Sequence, residues 1–473
     1  MVFSSVIFLC YFFPVVLGVY FIIPNKLKNY WLLIASVFFY AWGAPKFIGV
    51  VLTVLVIDYY LGNRIYTTEG KAKKIYLLLS IVLNIGMLFY FKYFNFFIEN
   101  INSLLGEFGA SPITWTKIVL PIGISFFVFQ EISYTVDIFR GEHKPLKKFS
   151  DYMLFIFLFS HLIAGPIVTY NVLADDIVDR RKKLNSDYIL TGFFRFSIGL
   201  ARKVLIANTL GLVADQIFKT PVDQLTSADC WLGAIAYTFQ LYFDFSGYSD
   251  MAIGIGKMLG FDFPENFNSP YVSQSITEFW KRWHITLGNW MRRYLYIPLG
   301  GNRASAGRVY LNLWIVFLLS GLWHGASWTF VIWGAYHGFF IASERFLHDR
   351  ISFSLPRIIK IPLTFLIVLV GWVFFRADTI TYSLDMLKQM FSFGNMTISI
   401  SLLNGFTYML IVAGFFSFIN AIRPINAITL GMFSVEGNII KVSLRFVLTI
   451  LLFAICLGVV VTSGFNPFIY FKF

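Results

Sequence analysis

The chain has 473 residues, of which 58% are hydrophobic and only 13% are charged. Soluble domains are about 45–50% apolar and about 25% charged, so the composition excludes a soluble enzyme, a disordered chain and a secreted disulfide scaffold. The net charge of +13 comes from short basic runs between apolar stretches, which is typical of loops beside an anionic cytoplasmic leaflet and not of nucleic-acid binding. We therefore expect an all-α integral membrane protein surrounded by membrane lipid.

Apolar stretches recur along the whole chain and predict its membrane helices. A helical span needs roughly 20 apolar residues, and several stretches are shorter or longer than that, so we expect about 10–13 membrane helices. No long polar linker separates the stretches, so residues 1–473 are interpreted as a single membrane domain. The apolar stretches are 5–23, 30–42, 46–60, 75–98, 118–139, 150–173, 188–218, 229–256, 309–343, 361–376, 402–422 and 442–462.

The N-terminal stretch 5–23 is interpreted as a retained first span, because no basic residue precedes it and no signal-peptide cleavage site follows it. Lys26 and Lys28 come directly after it. The positive-inside rule then places the N-terminus outside and these lysines in the cytoplasm. The later basic run Arg180–Lys183 is interpreted in the same way, as a loop near the cytoplasmic leaflet.

Residues 275–297 form the most polar long segment, and their pattern predicts an amphipathic helix. Ser275 and Glu278 fit a capping box at its start, and Pro298 with the following glycines marks its end. On one continuous helix the basic side chains share one face and the aromatic side chains share the other, which is typical of a helix in the membrane interface. His284 falls at the edge of the aromatic face. The basic side chains are those of Lys281, Arg282, Arg292 and Arg293, and the aromatic ones include Trp280, Trp283 and Trp290.

The segment 309–343 contains no Asp, Glu, Lys or Arg. A continuous helix of this length would measure about 50 Å and exceed the roughly 30 Å hydrocarbon core, so the segment must break. We expect the break at Gly321–Gly325, where two glycines flank His324. Irregular backbone at membrane depth is buried in protein or lines a cavity, so His324 is expected to face an internal cavity and to act as a proton acceptor. Simple packing against a carbonyl group is the alternative role.

Two carboxylates, Asp244 and Asp250, lie in an apolar stretch and need partners, a water-filled cavity or the interface. They are candidates for a substrate site, and the alternative is a structural role, such as a helix cap for Asp244. His337 lies on the next span and is assigned to packing. Gly254 and Gly256 lack the strand–helix context of a dinucleotide site and are assigned to helix packing. Neither a nucleophile triad nor a metal-binding spacing is apparent, so no metal is expected.

Three segments then stand out together, namely Phe243–Ala252 (FDFSGYSDMA), Glu278–His284 (EFWKRWH) and Gly321–Trp328 (GLWHGASW). They resemble the hallmark motifs of the membrane-bound O-acyltransferase (MBOAT) family. The N-terminal MVFSS and three further motifs are similar to the bacterial alginate O-acetyltransferase branch of that family. These motifs are Phe39–Gly43 (FYAWG), Asp137–Gly141 (DIFRG) and Leu162–Ile167 (LIAGPI). One departure is Ser160–His161, where the branch has Pro-Gln.

This resemblance implies a multi-helix fold around a central tunnel in the cell membrane, and an O-acyltransferase activity. It assigns the family's essential histidine to His324 and its second histidine to His284. It implies acetyl-CoA as a cytoplasmic donor substrate, no bound cofactor, and a polysaccharide acceptor such as alginate, reached through extracytoplasmic partner acyltransferases or acetyl carriers. We expect substrate contacts from two groups of residues. These are the motif residues Asp244, Tyr248, Asp250, Trp280, Trp283 and Trp323, and a basic rim of Lys281, Arg282, Arg292 and Arg293.

Other activities remain open. Within the same family the acceptor can be peptidoglycan or another exopolysaccharide, and the reaction can be D-alanyl transfer to teichoic acid, although the alginate-like N-terminus weighs against the last. A secondary transporter with His324 as a proton relay in a broken helix is the alternative from another class. Transporters often contain inverted repeats, and none is apparent here. The basic rim has lipid anchoring as its alternative role.

Overall fold

A computed structural model describes residues 1–348, 350, 355–400, 405–435 and 438–463. In this part of the chain the secondary structure is α-helical with short π-helical and 3₁₀ turns, and no β-strand forms. One isolated antiparallel bridge joins Phe267 to Trp283. The predicted all-α fold is confirmed. The predicted stretch 402–422 begins at residues that lie outside the described part.

Polar residues define several of the helix starts. The first N–H groups of a helix have no partner within it, so a side-chain oxygen at the preceding residue can accept from one of them. Asn185 accepts from the backbone N–H of Tyr188 at 3.0 Å, and Asn438 accepts from that of Lys441 at 3.1 Å. Long apolar sequences therefore supply the helices, and short polar residues set where some of them begin.

The described helices fall into two compact units. The first unit comprises Met1, Cys10–Leu184 and Leu259–Pro264. A π-helical turn at Ile7–Phe12, whose last three residues belong to this unit, precedes the helix Phe13–Ile22. The helices of this unit are Phe13–Ile22, Asn25–Gly43, Ile48–Thr67, Gly70–Leu88, Phe94–Glu107, Ile124–Phe139, Phe149–Phe157 and Tyr170–Val178, with short turns at Pro45–Phe47, Phe89–Tyr93 and Arg181–Lys183.

Arg180 is buried inside the first unit, in the loop between the helix Tyr170–Val178 and the turn Arg181–Lys183. Its guanidinium donates to the hydroxyl of Tyr20 and to the carbonyl oxygen of Leu259, both at 3.0 Å. Lys183, from the same basic run, forms a salt bridge with Asp176 at 2.6 Å. Two residues of this run therefore stabilise the unit through bonds to protein partners, Arg180 in its interior and Lys183 nearer its surface.

The second unit comprises Val2–Leu9, Asn185–Met258 and the described residues from Glu265 onward. Its longest helix, Ser227–Met258, has 32 residues and is mostly buried; we call it the long helix. The other helices of this unit are Ser186–Ala201, Asn208–Lys219, Ile276–Arg282, Ile285–Met291, Ala306–His324, Trp328–His348, Arg357–Arg376, Ile380–Met390, Phe406–Phe418, Arg423–Phe433 and Ile439–Thr462, with short turns at Arg202–Ala207, Val222–Gln224, Pro270–Val272, Arg292–Tyr296, Gly301–Arg303 and Ile419–Ala421.

The long helix packs closely against the helix Ser186–Ala201 because glycines face each other at two levels. A Cβ atom at Gly254 would lie 2.6 Å from the carbonyl oxygen of Gly192, and one at Gly247 would lie 2.7 Å from that of Gly199. Backbones this close leave room for hydrogen only. The prediction that Gly254 serves helix packing is confirmed.

Six described helical runs are long and apolar enough to cross a membrane. A seventh is obtained if the bent pair Phe406–Ala421 and Pro424–Phe433 forms one span. Among the described residues, fewer helices pass this test of length and composition than the expected 10–13, because some predicted stretches are divided. Stretch 150–173, for example, contains the short helix Phe149–Phe157 followed by irregular chain. The six runs are Pro45–Thr67, Gly70–Glu107, Ser186–Lys219, Ala306–His324, Arg357–Arg376 and Ile439–Thr462.

Replacing Gly247 by alanine should lower the midpoint of thermal unfolding, because the added methyl group pushes two helix backbones apart. Overpacking of this kind costs about 1–3 kcal/mol. The matched control is Gly458→Ala, on the helix Ile439–Thr462, where a Cβ atom would meet nothing within 4 Å. Unfolding curves of the purified protein in detergent measure both variants. Equal midpoints would contradict the close packing.

Candidate active site

The segment that carries His284 begins at the predicted capping box. Ser275 Oγ accepts a hydrogen bond from the backbone N–H of Glu278 at 3.0 Å. Glu344, on the helix Trp328–His348, accepts from two further N–H groups of the same first turn. A carboxylate at a helix N-terminus is stabilising because it meets both the unpaired N–H groups and the positive end of the helix dipole. The predicted helix start is confirmed.

A single helix does not continue through this segment, which corrects the prediction. The helix Ile276–Arg282 ends where Trp283 becomes extended and bridges to Phe267. His284 then adopts φ 45° and ψ 51°, a left-handed conformation that few non-glycine residues take up. A second helix, Ile285–Met291, follows. The prediction that one continuous helix has a basic face and an aromatic face is therefore wrong, because the chain turns at His284.

His284 is buried, with 1% of its surface exposed. Its Nδ1 lies 3.0 Å from Asn266 Oδ1, which also accepts a hydrogen bond from the hydroxyl of Thr286 at 2.8 Å. The ring of Phe245 packs edge-on against the imidazole, with centroids 4.8 Å apart. Burial lowers the pKa of His284 to about 3, so the imidazole is neutral near pH 7.

His324 is the last residue of a 19-residue helix. Gly325 continues the chain in an extended conformation and the next helix begins at Trp328, so the predicted break is confirmed. The imidazole is 7% exposed and packs edge-on against Trp333 and Phe375, each 5.1 Å away between ring centroids. The glycine-flanked histidine is thus held in an aromatic enclosure.

The structure brings His284 and His324 together, with ring centroids 6.4 Å apart. Trp323 lies beside both, at 6.0 Å from His284 and 4.9 Å from His324. Trp280 packs edge-on against Trp333 at 5.5 Å, so it supports the enclosure from behind. Both tryptophans are predicted substrate contacts. Trp323 packs against both histidines, whereas Trp280 packs against Trp333, which in turn packs on His324.

Trp283 and His337 belong to the aromatic layer behind the pair. Trp283 packs against Trp372 with centroids 4.9 Å apart. His337 is fully buried and packs edge-on against Trp280 at 5.0 Å and Trp333 at 5.1 Å, in keeping with its predicted role in packing. Bulky rings around the two histidines keep bulk water away from them.

Asp244 and Asp250 lie inside the long helix and are paired with basic side chains. Lys203 Nζ is 2.7 Å from Asp244, and Arg195 Nη2 is 2.8 Å from Asp250. A helix cap for Asp244 is wrong, because the residue lies in the middle of a continuous helix. Tyr248 stacks on an N-terminal phenylalanine at 4.5 Å. Buried charges need such partners, so the carboxylates join helices, and their substrate contacts stay a prediction.

The long helix reaches His284 through side chains that sequence reasoning missed. Phe245 contacts the imidazole directly, and Ser249 Oγ accepts a hydrogen bond from Asn266 Nδ2 at 3.0 Å. The FDFSGYSD motif therefore supports the histidine with its uncharged side chains. Asn266 precedes His284 by 18 positions in irregular chain, and no helical or strand spacing signals such a contact.

The break in the helix also divides the basic rim. Lys281 and Arg292 are exposed, whereas Arg282 forms a salt bridge with Glu278 at 2.8 Å. The guanidinium of Arg293 lies over the ring of the adjacent tyrosine, 5.6 Å from its centroid. The four charges therefore do not form one equivalent stripe, because Arg282 is already neutralised by a neighbouring carboxylate.

Two cavities accompany the site. One of about 360 Å³ is lined by Glu278, Arg282 and Arg357 among other residues. The second, of about 200 Å³, is lined by Phe375, whose ring also packs on His324. Its polar lining residues are Asp215, Tyr237, Gln240, Ser327, Thr329, Arg376 and Asp378.

Known proteins are similar in sequence to most of this chain. The profile of MBOAT, the membrane-bound O-acyltransferase family, matches residues 37–384. "Probable alginate O-acetylase AlgI" of Azotobacter vinelandii is 47% identical over 401 residues, which cover 84% of this chain and 80% of that protein. The protein of the same name from Pseudomonas putida (strain KT2440) is 41% identical over 490 aligned positions and covers both chains fully. "Peptidoglycan O-acetyltransferase" of Helicobacter pylori is 39% identical over 424 residues, which cover 82% and 80%.

The matched region contains His284, His324 and all three hallmark motifs. It covers well over half of the chain, and relatives more than 30% identical cover most of the remainder. The long apolar helices of the described residues agree with the membrane setting that the family requires. The chain therefore belongs to the membrane-bound O-acyltransferase family and is a multi-pass membrane O-acyltransferase.

Proposed function

We propose that this enzyme takes an acetyl group from acetyl-CoA in the cytoplasm and passes it across the cell membrane for O-acetylation of an extracytoplasmic polysaccharide such as alginate. The observation that carries the proposal is the buried pair of His284 and His324, 6.4 Å apart, in a chain of this family. Similar proteins whose names specify O-acetylation of alginate or peptidoglycan support the acetyl group and the glycan acceptor.

His324 is the proposed general base. As the acceptor oxygen attacks the thioester carbonyl carbon, the imidazole takes the hydroxyl proton. The carbon–sulfur bond then breaks, and the imidazolium returns the proton to the leaving thiolate, so an ester and a free thiol are formed and His324 is regenerated. The enclosure by Trp333 and Phe375 supports this role, because excluding water protects the activated thioester from hydrolysis.

His284 is the proposed second catalytic group, which orients or polarises one of the reactants. Its ring is close enough to that of His324 for one small reacting group to contact both. Its unusual backbone conformation also supports a functional role, since a left-handed non-glycine residue costs of order 1–3 kcal/mol and persists where the surrounding structure holds it.

The acceptor is proposed to approach through the cavity of about 200 Å³ beside Phe375. Pockets for drug-sized ligands are about 300–1,000 Å³, so this cavity suits one hydroxyl-bearing group and not a polymer chain. Delivery through extracytoplasmic partner acyltransferases or acetyl carriers agrees with that size. The donor is proposed to enter from the basic rim, whose exposed members are Lys281 and Arg292.

Peptidoglycan is the second candidate acceptor, favoured by the 39% identity to the Helicobacter protein of that name. The two acceptors are distinguished by producing the enzyme with its neighbouring genes and measuring O-acetyl esters on isolated alginate and on isolated peptidoglycan. Esters on alginate alone support the proposal. Esters on peptidoglycan alone would show that peptidoglycan is the acceptor, and the proposed acyl transfer would stand.

The variant His324→Ala should lower acyl transfer by about 10²–10⁴-fold, because it removes the general base. Thiol release from acetyl-CoA and ester formation on the acceptor measure the loss. Its protein level and unfolding midpoint should stay close to those of the wild type. The matched control is His143→Ala, at a half-buried histidine of the first unit, which should keep full activity. Wild-type turnover in His324→Ala would overturn the proposal.

Charge reversal at the exposed rim, Lys281→Glu with Arg292→Glu, should raise the apparent KM for acetyl-CoA and leave kcat nearly unchanged. Opposite charge near the entrance attracts the donor phosphates, and raising the salt concentration should shrink the difference from the wild type. The double variant Lys219→Glu/Lys388→Glu makes the same total charge change at exposed lysines of two other helices and serves as the control. An unchanged KM together with an altered requirement for anionic lipid would assign the rim to lipid anchoring.

A further inference from the structure

We infer that Asn266 is a positioning residue that holds His284 in the tautomer protonated at Nδ1, which makes Nε2 the ring nitrogen that can accept a hydrogen bond. This inference rests on the proposed function and deepens it, because it decides which kind of reactant His284 can orient. It follows from the direction of each hydrogen bond around one buried amide group.

The first step is the orientation of the Asn266 amide. The backbone N–H of Thr286 points at the Asn266 side chain, and the atom it meets, Oδ1, is 3.4 Å from that nitrogen. A backbone N–H can only donate, so the atom facing it must be the amide oxygen. The amide nitrogen then faces Ser249 Oγ at 3.0 Å, and that hydroxyl can accept. Both ends of the amide are satisfied in this orientation.

The second step is the tautomer of His284. Asn266 Oδ1 carries no hydrogen, so the imidazole Nδ1 at 3.0 Å must donate to it. The ring is buried and neutral and therefore carries a single proton, which this bond places on Nδ1. Nε2 then carries the lone pair. The hydroxyl of Thr286 donates to the same oxygen at 2.8 Å and helps to keep that oxygen in place.

The main chain reinforces the same arrangement. The backbone N–H of Ile285 donates to the carbonyl oxygen of Asn266 at 3.0 Å, and Trp283 bridges to Phe267. Asn266 therefore holds His284 through its side chain and through its backbone. This double attachment explains how the left-handed conformation of His284 is maintained.

The chemical consequence concerns the role of His284. A neutral imidazole without a proton on Nε2 cannot donate a hydrogen bond from that atom, so His284 does not polarise the thioester carbonyl oxygen. It can accept from a hydroxyl, and the hydroxyl of the incoming acceptor is the reactant with such a proton. His284 therefore orients the nucleophile, while His324 remains the base that removes its proton.

The tautomer is measured with ¹⁵N-histidine-labelled full-length protein in lipid bilayers. The chain has only six histidines, and the signals of His284 are assigned by their loss in His284→Gln. We expect a protonated Nδ1 and an unprotonated Nε2 in the wild type. In Asn266→Asp the carboxylate still accepts from the ring but favours the imidazolium, so His284 should titrate at least about one pH unit higher. A wild-type ring protonated at Nε2, or an unshifted titration, would overturn the inference.

Kinetics test whether the position matters. Asn266→Ala should lower kcat about 10- to 100-fold with little change in KM, because the imidazole loses its orientation. The double variant Asn266→Ala/His284→Ala should be no slower than His284→Ala alone if Asn266 acts through His284. Multiplying losses in the double variant would show that Asn266 has another role.

The matched control is Asn312→Ala, which removes a second fully buried asparagine of the same unit, bonded to the carbonyl oxygen of Leu299 at 3.1 Å. It should lower stability without changing the titration of His284. If Asn266→Ala fails to fold, Asn266→Asp and the ¹⁵N signals still decide. Because the tautomer is read without turnover, an active His324→Ala would refute the proposed function while leaving this measurement valid.

Discussion

Backbone amides and charged side chains that are buried in a membrane protein lose their contacts with water. They must find partners within the protein, since lipid offers none. This constraint explains where the helix around His284 is able to break. Trp283 leaves the helix only where Phe267 pairs with its backbone, and Ile285 donates to Asn266. The irregular turn that carries His284 is therefore possible because an irregular segment beside it satisfies the freed groups.

The same constraint governs the charges of the hallmark motif. Asp244 and Asp250 are buried, and each is paired with a basic side chain from the neighbouring helical run. Facing glycines allow those two backbones to approach closely. Phe245 and Ser249 then support the histidine and its asparagine. Ion pairing and contacts with His284 and Asn266 thus occupy neighbouring positions of one helix.

Local sequence signals predicted local features well. The capping box at Ser275 and the break after His324 depend on residues within one turn, and the structure contains both. The continuous helix 275–297 was the wrong prediction, because helical periodicity does not register a competing partner from residues 266–268. The prediction that the basic rim forms one uniform stripe was wrong for a related reason, since the salt bridge of Arg282 with Glu278 neutralises one of its four charges.

Sequence alone determined the membrane class, the all-α fold, the family and the two histidines, because these depend on composition and on short motifs that keep their order. Only the tertiary structure decided that the histidines lie 6.4 Å apart and that Asn266 bonds one of them. It also decided that the motif carboxylates Asp244 and Asp250 form ion pairs with basic side chains. Contacts across 18 or 40 positions depend on how backbones pack and which polar groups they leave unsatisfied, and no periodicity along one chain encodes that.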